Sequence, residues 1–265
     1  MRQKLGQHFL KNEQTLSFIA QNSDIKQNDF IIEIGPGHGE LTKHLVLEAQ
    51  KNNAHLLCIE KDSTFFTPIK TLIGKNNELL EGDVREILPI INRKLRGASF
   101  VITGNIPYYL TSFLLRIISE LKMRPHTTTL LIQKEVAERI IGEPKKQNLL
   151  STIIASFADA KIIKRVSRGQ FSPPPKVDSA IIQLTTHNRY TEKEINLYIK
   201  TAKILFSQPR KTIFNNMRCP KKGINLSEKA LNELLSDAKI KREARAQELT
   251  PKTVMKLTKM LYNEK

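Results

Sequence analysis

Cysteine is nearly missing from this 265-residue chain: there are two, Cys58 and Cys219, far apart and in no CxxC or Cys/His spacing. That argues against a disulfide framework and against a zinc site, so no metal is expected, and it points to a reducing compartment. Long apolar runs are missing too. None approaches the roughly 18 residues that a spanning helix needs, and the opening MRQKLGQHFL has no apolar stretch behind its basic residues. The expectation is a soluble, unexported, cytoplasmic protein without a membrane partner. Negative charge is scarce as well: 26 Asp and Glu stand against 43 Lys and Arg, a net +17 with an isoelectric point near 9.9. Such a field attracts polyanions, nucleic acid first.

The basic charge is unevenly spread. From Thr186 to the end, 18 Lys and Arg stand against 8 Asp and Glu, a net +10, and the much longer part before Thr186 carries the other +7. A tail several-fold more basic per residue reads as a binding surface, although amphipathic helices with Lys on the wet face would look similar.

From Asn28 to Thr185, short apolar runs (FIIEI, HLLCIE, ELLEGD, FVITGN, TTLLIQ, SAIIQL) alternate with amphipathic stretches such as 39–49, 63–73 and 111–122. This alternation predicts right-handed βαβ units, hence an α/β fold with a mostly parallel, Rossmann-like sheet and helices on both faces. Asn12 and the pattern Leu16, Ile19, Ala20 predict a helix ahead of it. Past a boundary at 186–190 the strand signals stop and helical periodicity runs through 192–206, 227–236 and 250–262, the last with Thr250 as N-cap and Pro251 at the first helical position. Residues 1–188 and a small all-helical, basic segment 189–265 are the expected domains.

Four stations recur at intervals of about one βα unit. In IIEIGPGHGELT, Gly35, Gly37 and Gly39 permit a tight turn with backbone close to a ligand, before a helix opening near Glu40. The spacing is not the GxGxxG of dinucleotide binders, and Glu33 would oppose a pyrophosphate, so a cationic ligand end suits the turn better. Glu60 follows at the next strand end, where an acid can accept from both ribose hydroxyls; an exposed carboxylate is the plain alternative. Asp83 and then Asn105 come after nearly equal further intervals, so all should project from the carboxyl ends of successive strands into one crevice. In GNIPY, Pro107 keeps Ile106 extended, so the Asn105 amide and neighbouring carbonyls can face an exocyclic amine while Tyr108 offers a ring for stacking a base. A Pro-Tyr loop packed under the sheet is the structural alternative.

The set GQHFL (6–10), IEIGPGHGELT (32–42), IEKD (59–62), GD (82–83), GNIPY (104–108), QKEVAERI (133–140), FSPPPKVDSAI (171–181) and FSQPRKTI (206–213) resembles the ribosomal RNA adenine dimethyltransferases. Within them it resembles the small-subunit (kasugamycin-resistance) branch, which FSPPPKVDS and RKTI separate from the large-subunit erythromycin-resistance enzymes. The resemblance runs over nearly the whole chain in order and spacing. It implies a class I methyltransferase in which S-adenosylmethionine is held by His8, Leu10, Glu33, the turn at Gly35 and Gly37, Glu60 on the ribose, Asp83 at the adenine amine, and Asn105. Asn105 and Tyr108 would handle the target adenine, with Phe171 on its other face or, equally, in the core before the PPP bend. It also implies two methyl groups on each of two neighbouring adenosines near the end of small-subunit ribosomal RNA, during subunit maturation.

The partner expected is thus the small ribosomal subunit and its RNA, met by a monomer, with Arg210, Lys211, Arg218, Lys221, Lys222, Lys241, Arg242 and Arg245 as candidate RNA contacts. Two stretches depart from the family. Tyr109, Leu110 and Thr111 stand where Asn, Ile and Ser are usual, so a ring replaces a small amide in a place that bears on the pocket and the degree of methylation. KKQNLL at 145–150 replaces a customary Tyr-Gly pair. The competing readings are a large-subunit adenine methyltransferase, an assembly factor whose binding matters more than its catalysis, and an NAD-dependent Rossmann enzyme.

Overall fold

The computed structural model describes residues 8–142, 146–218, 224 and 226–262. The chain divides into two compact units, residues 1–138 with 160–186 and residues 139–159 with 187–265. The second unit therefore takes in an excursion from the middle of the chain besides the C-terminal segment.

In chain order the elements are β1 (Phe9–Leu10), α1 (Glu13–Gln21), β2 (Phe30–Ile34), α2 (Thr42–Lys51), β3 (His55–Glu60), α3 (Phe66–Ile73), β4 (Glu78–Glu81), α4 (Val84–Lys94), β5 (Phe100–Asn105), α5 (Thr111–Glu120), β6 (Thr127–Gln133), α6 (Lys134–Ile141), α7 (Leu149–Ala155), β7 (Ala158–Val166), β8 (Phe171–Ser172), β9 (Ser179–Thr186), α8 (Glu192–Leu205), α9 (Ile213–Met217), α10 (Glu228–Asp237) and α11 (Pro251–Leu261). The main sheet has the order β4-β3-β2-β5-β6-β9-β7, parallel from β4 to β6 and antiparallel where β9 joins β6. The order reverses between β2 and β5, and the loops leaving their carboxyl ends diverge there to open a crevice.

Both faces of the sheet are covered, as the apolar runs require. Successive strand residues point to opposite sides, yet the neighbours Ile31 and Ile32, Leu56 and Leu57, and Val101 and Ile102 are all buried. Leu16 and Ile19 of α1, Leu45 and Ala49 of α2, and Ile69 and Ile73 of α3 join Ile31, Leu56 and Val101 in one core cluster. Helix α1 is capped as its sequence predicts: the Asn12 side chain accepts from the Thr15 N–H at 2.9 Å.

The helical unit has its own core, built on Tyr198 and Leu205 of α8, Phe214 and Met217 of α9, Leu231 and Leu235 of α10, and Val254 and Leu257 of α11. Thr250 caps α11 and Pro251 opens it, as read from the sequence. Helix α8 carries a reciprocal cap between Thr191 and Glu194, and Lys259 of α11 ties to the same Glu194 at 2.7 Å.

Candidate active site at the strand ends

The glycine turn after β2 is shaped by its neighbours as much as by its own flexibility. Gly35 sits at φ +67°, where L side chains are strained, and donates its N–H to the Ile59 carbonyl at 2.9 Å. Glu60 closes the turn from the other side. One of its oxygens accepts from the Lys61 and Asp62 N–H groups at 2.7 and 2.8 Å, the other from the Gly37 N–H at 3.1 Å. At the adjacent strand, a Cβ added to Gly104 would lie 2.6 Å from the Ile34 carbonyl oxygen, so glycine is required for β5 to run this close to the end of β2.

These strand ends surround one cavity of about 520 Å³. Its walls include His8, Leu10, Glu33, Gly35, Gly37, Glu60, Asp83 and Asn105, all the residues expected at a donor site, together with Tyr108. Five carboxylates line it, from Glu33, Glu40, Glu60, Asp62 and Asp83, against two cations, Lys61 and Arg85, in a chain whose net charge is +17. A cationic ligand end fits that lining and a pyrophosphate does not. Glu33 lies in its floor, 1 % exposed, with the Cys58 thiol donating to it at 3.4 Å. Burial pushes its carboxyl up to about 7, with the Glu60 and Glu40 charges adding to the effect and the hydrogen bond from Cys58 opposing it.

Asp83 is an N-cap as well as a cavity wall. Its carboxylate accepts from the Arg85 backbone N–H at 2.9 Å and from Arg85 Nε at 2.8 Å, and it pairs with Lys61 Nζ at 3.0 Å. The Arg85 guanidinium, and after it Lys61, hold the acid well below the usual carboxylate range. Asn105 donates its amide NH2 to the His8 carbonyl at 3.2 Å, and no described residue donates to its Oδ1. Tyr108 stands in a short 3-10 turn, Tyr108–Leu110, closed by Leu110 N–H on the Pro107 carbonyl at 2.8 Å. Its hydroxyl pairs with Ser179 Oγ at 2.9 Å, and the His8 ring lies 5.9 Å away, tilted 33°.

The family model described as ribosomal RNA adenine dimethylase matches residues 1–263. The chain belongs to that family. Among curated relatives, "Ribosomal RNA small subunit methyltransferase A" of Onion yellows phytoplasma (strain OY-M) is 34% identical over 264 residues, covering 97% of this chain and 94% of that one. The protein of the same name from Caldanaerobacter subterraneus subsp. tengcongensis is 30% identical over 269 residues, covering 98% and 97%. Among solved structures, a dimethyladenosine transferase from Plasmodium falciparum superposes with a TM-score of 0.76 at 26% identity, over 94% of this chain and 96% of that one. The 23S rRNA methyltransferase ErmE superposes at 0.70 with 22% identity, over 96% and 99%, which speaks for the fold alone. Family membership makes this chain an rRNA adenine dimethyltransferase, and its fold is that of the class I methyltransferases.

Phe171, the candidate for the second face of the adenine, is not among the residues around the cavity. It pairs with Leu10 between β8 and β1, is 5 % exposed, and belongs to the core cluster, which is the alternative its sequence context left open. Lys61, Arg85 and Ser179 were missed as partners of the site. The one available signal was local: Arg85 stands just past the capping Asp83, and Lys61 follows Glu60. Ser179 reaches Tyr108 only through the pairing of β9 with β6, which no spacing reveals.

In the helical unit the described candidates for RNA contact, Arg210, Lys211, Arg218, Lys241, Arg242 and Arg245, are all exposed. Arg218 and Arg242 pair with Glu228 at 3.7 and 2.7 Å, and the Arg242 guanidinium lies 3.9 Å from the centre of the Phe214 ring. Lys221 and Lys222 lie outside the described residues. Among the described residues no helix is long and apolar enough to cross a membrane.

Proposed function

We propose that this chain, as a monomer, uses S-adenosylmethionine to dimethylate the N6 amines of two adjacent adenosines near the 3′ end of small-subunit (16S) ribosomal RNA, during subunit maturation. One observation carries the reading: Glu60, Asp83 and Asn105, from the ends of three different strands, open with the glycine turn and Tyr108 into the same acid-lined cavity. Glu60 is the acceptor for a ribose, Asp83 for the cofactor's adenine amine, and Glu33 the carboxylate beneath the cationic end, with His8, Leu10, Gly35 and Gly37 completing the cradle. When bound, S-adenosylmethionine supplies a sulfonium-activated methyl carbon, so that an N–C bond forms as the C–S bond breaks with its electron pair kept by sulfur, and an amine proton passes to water.

Against such a donor the chain needs no nucleophile of its own; it has to place the amine. An adenine amine is a poor nucleophile because its lone pair is delocalised into the ring. Asn105 Oδ1, an acceptor with no described donor, favours a pyramidal nitrogen with its lone pair turned to the methyl carbon. Tyr108, its hydroxyl fixed by Ser179, keeps a ring face for the base. Orientation of this kind contributes about 7–11 kcal/mol in favourable cases. Drawing the base out of its stack costs on the order of a few kcal/mol, which stacking on Tyr108 at about 1–3 kcal/mol partly offsets.

The test is incubation with labelled S-adenosylmethionine and undermethylated small subunits, followed by mapping of the labelled nucleosides. Label in N6,N6-dimethyladenosine at two neighbouring positions near the RNA end is the expected result. Label only in isolated large subunits, or none in adenosine, overturns the proposal.

A further inference from the structure

Beside the cavity lies a surface of a different kind. Among the described residues, the exposed large apolar side chains include two aromatics, Tyr109 at 74 % and Phe113 at 37 %, and both belong to the cavity's walls. Phe113 follows Tyr109 by about one helical turn, from the 3-10 turn into α5. The Arg116 guanidinium lies 4.5 Å from the centre of the Phe113 ring and that of Arg85 lies 5.9 Å from it. Arg85 is anchored by Asp83. The cavity interior is thus lined by carboxylates while this lip carries exposed rings and guanidinium groups. That division suits a cationic donor within and a polyanion with flat bases outside.

We propose that Tyr109 and Phe113 form a second stacking platform, which holds the base adjoining the one in the pocket while Arg85 and Arg116 take the phosphate between them; this rests on the methyl-transfer reading above. Tyr108 cannot serve both bases, because its hydroxyl is tied to Ser179 and its ring belongs to the pocket. The platform thus consists of two exposed rings, Tyr109 and Phe113, that the methyl-transfer reading itself leaves without a task. Its role is to keep the neighbouring adenosine in register for the next round of transfer.

The full chain is assayed on undermethylated small subunits and on a naked single-stranded RNA carrying two adjacent adenosines. Tyr109→Ala is expected to raise KM for both by about 5- to 150-fold, as loss of one stacked base does, and to lower the share of product with both adenosines modified. Tyr109→Phe is expected to restore both readouts, which a merely structural role of the hydroxyl would not allow. Arg116→Ala is expected to reduce the salt slope of RNA binding by about one, and S-adenosylmethionine affinity is to stay unchanged in all three variants. Wild-type KM and product pattern in Tyr109→Ala would overturn the platform, as would a defect seen on whole subunits and not on naked RNA, which would make the lip a protein contact. The product of the unsubstituted chain, run in parallel, separates the two levels. If it puts no label into adenosine of the small subunit the methyl-transfer reading fails; if it does while Tyr109→Ala behaves as the parent, the platform alone fails.

Discussion

Lys61 Nζ lies 3.0 Å from Asp83 Oδ2, and with that contact the acceptor positions of the carboxylate are filled. Oδ1 already serves the backbone N–H and Nε of Arg85, and Oδ2 serves Arg85 Nη2. An adenine amine entering the cavity has to displace one of these donors. Lys61, with its side chain 68 % exposed, is the one that leaves, since an ion pair so exposed contributes at most about 1 kcal/mol. Lys61→Met is therefore expected to leave S-adenosylmethionine affinity unchanged or tighten it up to about fivefold in calorimetric titration. A tenfold loss would show that Lys61 itself grips the donor.

Glu33 gives the site a pH dependence whose sign can be stated. Its carboxyl is raised from an ordinary 4.5 to about 7 by burial, so the folded state holds a proton that the unfolded chain has released. The stabilisation is fully present below about 4.5 and is lost as pH rises through about 7. Glu33→Gln is expected to be more stable than the parent at pH 8, by up to roughly 3 kcal/mol, with the advantage vanishing near pH 4.5. Thermal midpoints at both pH values check it, and an equal difference at both would remove Glu33 as the cause. A cation above the carboxylate favours its charged form, so donor affinity in the parent should climb through pH 7 and be flat in the variant.

Much of this was legible in the chain because strands buried on both faces leave continuous apolar runs. Thus β2, β3 and β5 coincide with FIIEI, HLLCIE and FVITGN, and β6 and β9 contain TTLLIQ and SAIIQL with one and two residues more. The edge strand β7 was not legible: in ADAKIIKRV the charges that guard an open edge blur the strand pattern. Helix α4 escaped because Pro89 lies inside it. The helix after the glycine turn starts at Thr42 rather than near Glu40, since Gly39, at φ +88°, still belongs to the turn. The site stations were readable because a βα unit has a nearly constant length. The pairings that tune them, Lys61 to Asp83 and Ser179 to Tyr108, depend on side-chain reach and on an antiparallel neighbour, and neither leaves a periodic trace.

Asn105 and Tyr108 should fail in different ways. The Asn105 amide is oriented by the His8 carbonyl and, in the role proposed for it, offers one oxygen to the target, so Asn105→Ala is expected to abolish transfer while leaving S-adenosylmethionine binding largely intact. Tyr108→Ala removes a stacking face and should chiefly raise KM for RNA, by about 5- to 150-fold. Ser179→Ala frees the Tyr108 hydroxyl without removing the ring, and a milder KM effect in the same direction is expected. Initial rates against RNA concentration, with donor affinity measured separately, resolve these outcomes. Normal turnover in Asn105→Ala would take the amide out of the mechanism.

The basic side chains of the helical unit are not equivalent, and salt titration can sort them. Arg242 pairs with Glu228, sits 3.3 Å from Asn232 Oδ1 and covers the Phe214 ring, so it joins α9, α10 and the segment beyond α10. Arg242→Ala is expected to lower the thermal midpoint and to alter the salt slope of RNA binding little. Lys211 and Lys241 are exposed; if each neutralises a phosphate, Lys211→Ala and Lys241→Ala should each lower the slope of log affinity against log salt by about one, with little change in midpoint. Affinities between about 50 and 200 mM salt provide the range, because a protein with many phosphate contacts loses orders of magnitude across it. A parent chain whose RNA affinity stays level over that interval would reduce these lysines to an ordinary solvated face and would count equally against the phosphate contact proposed for Arg85 and Arg116.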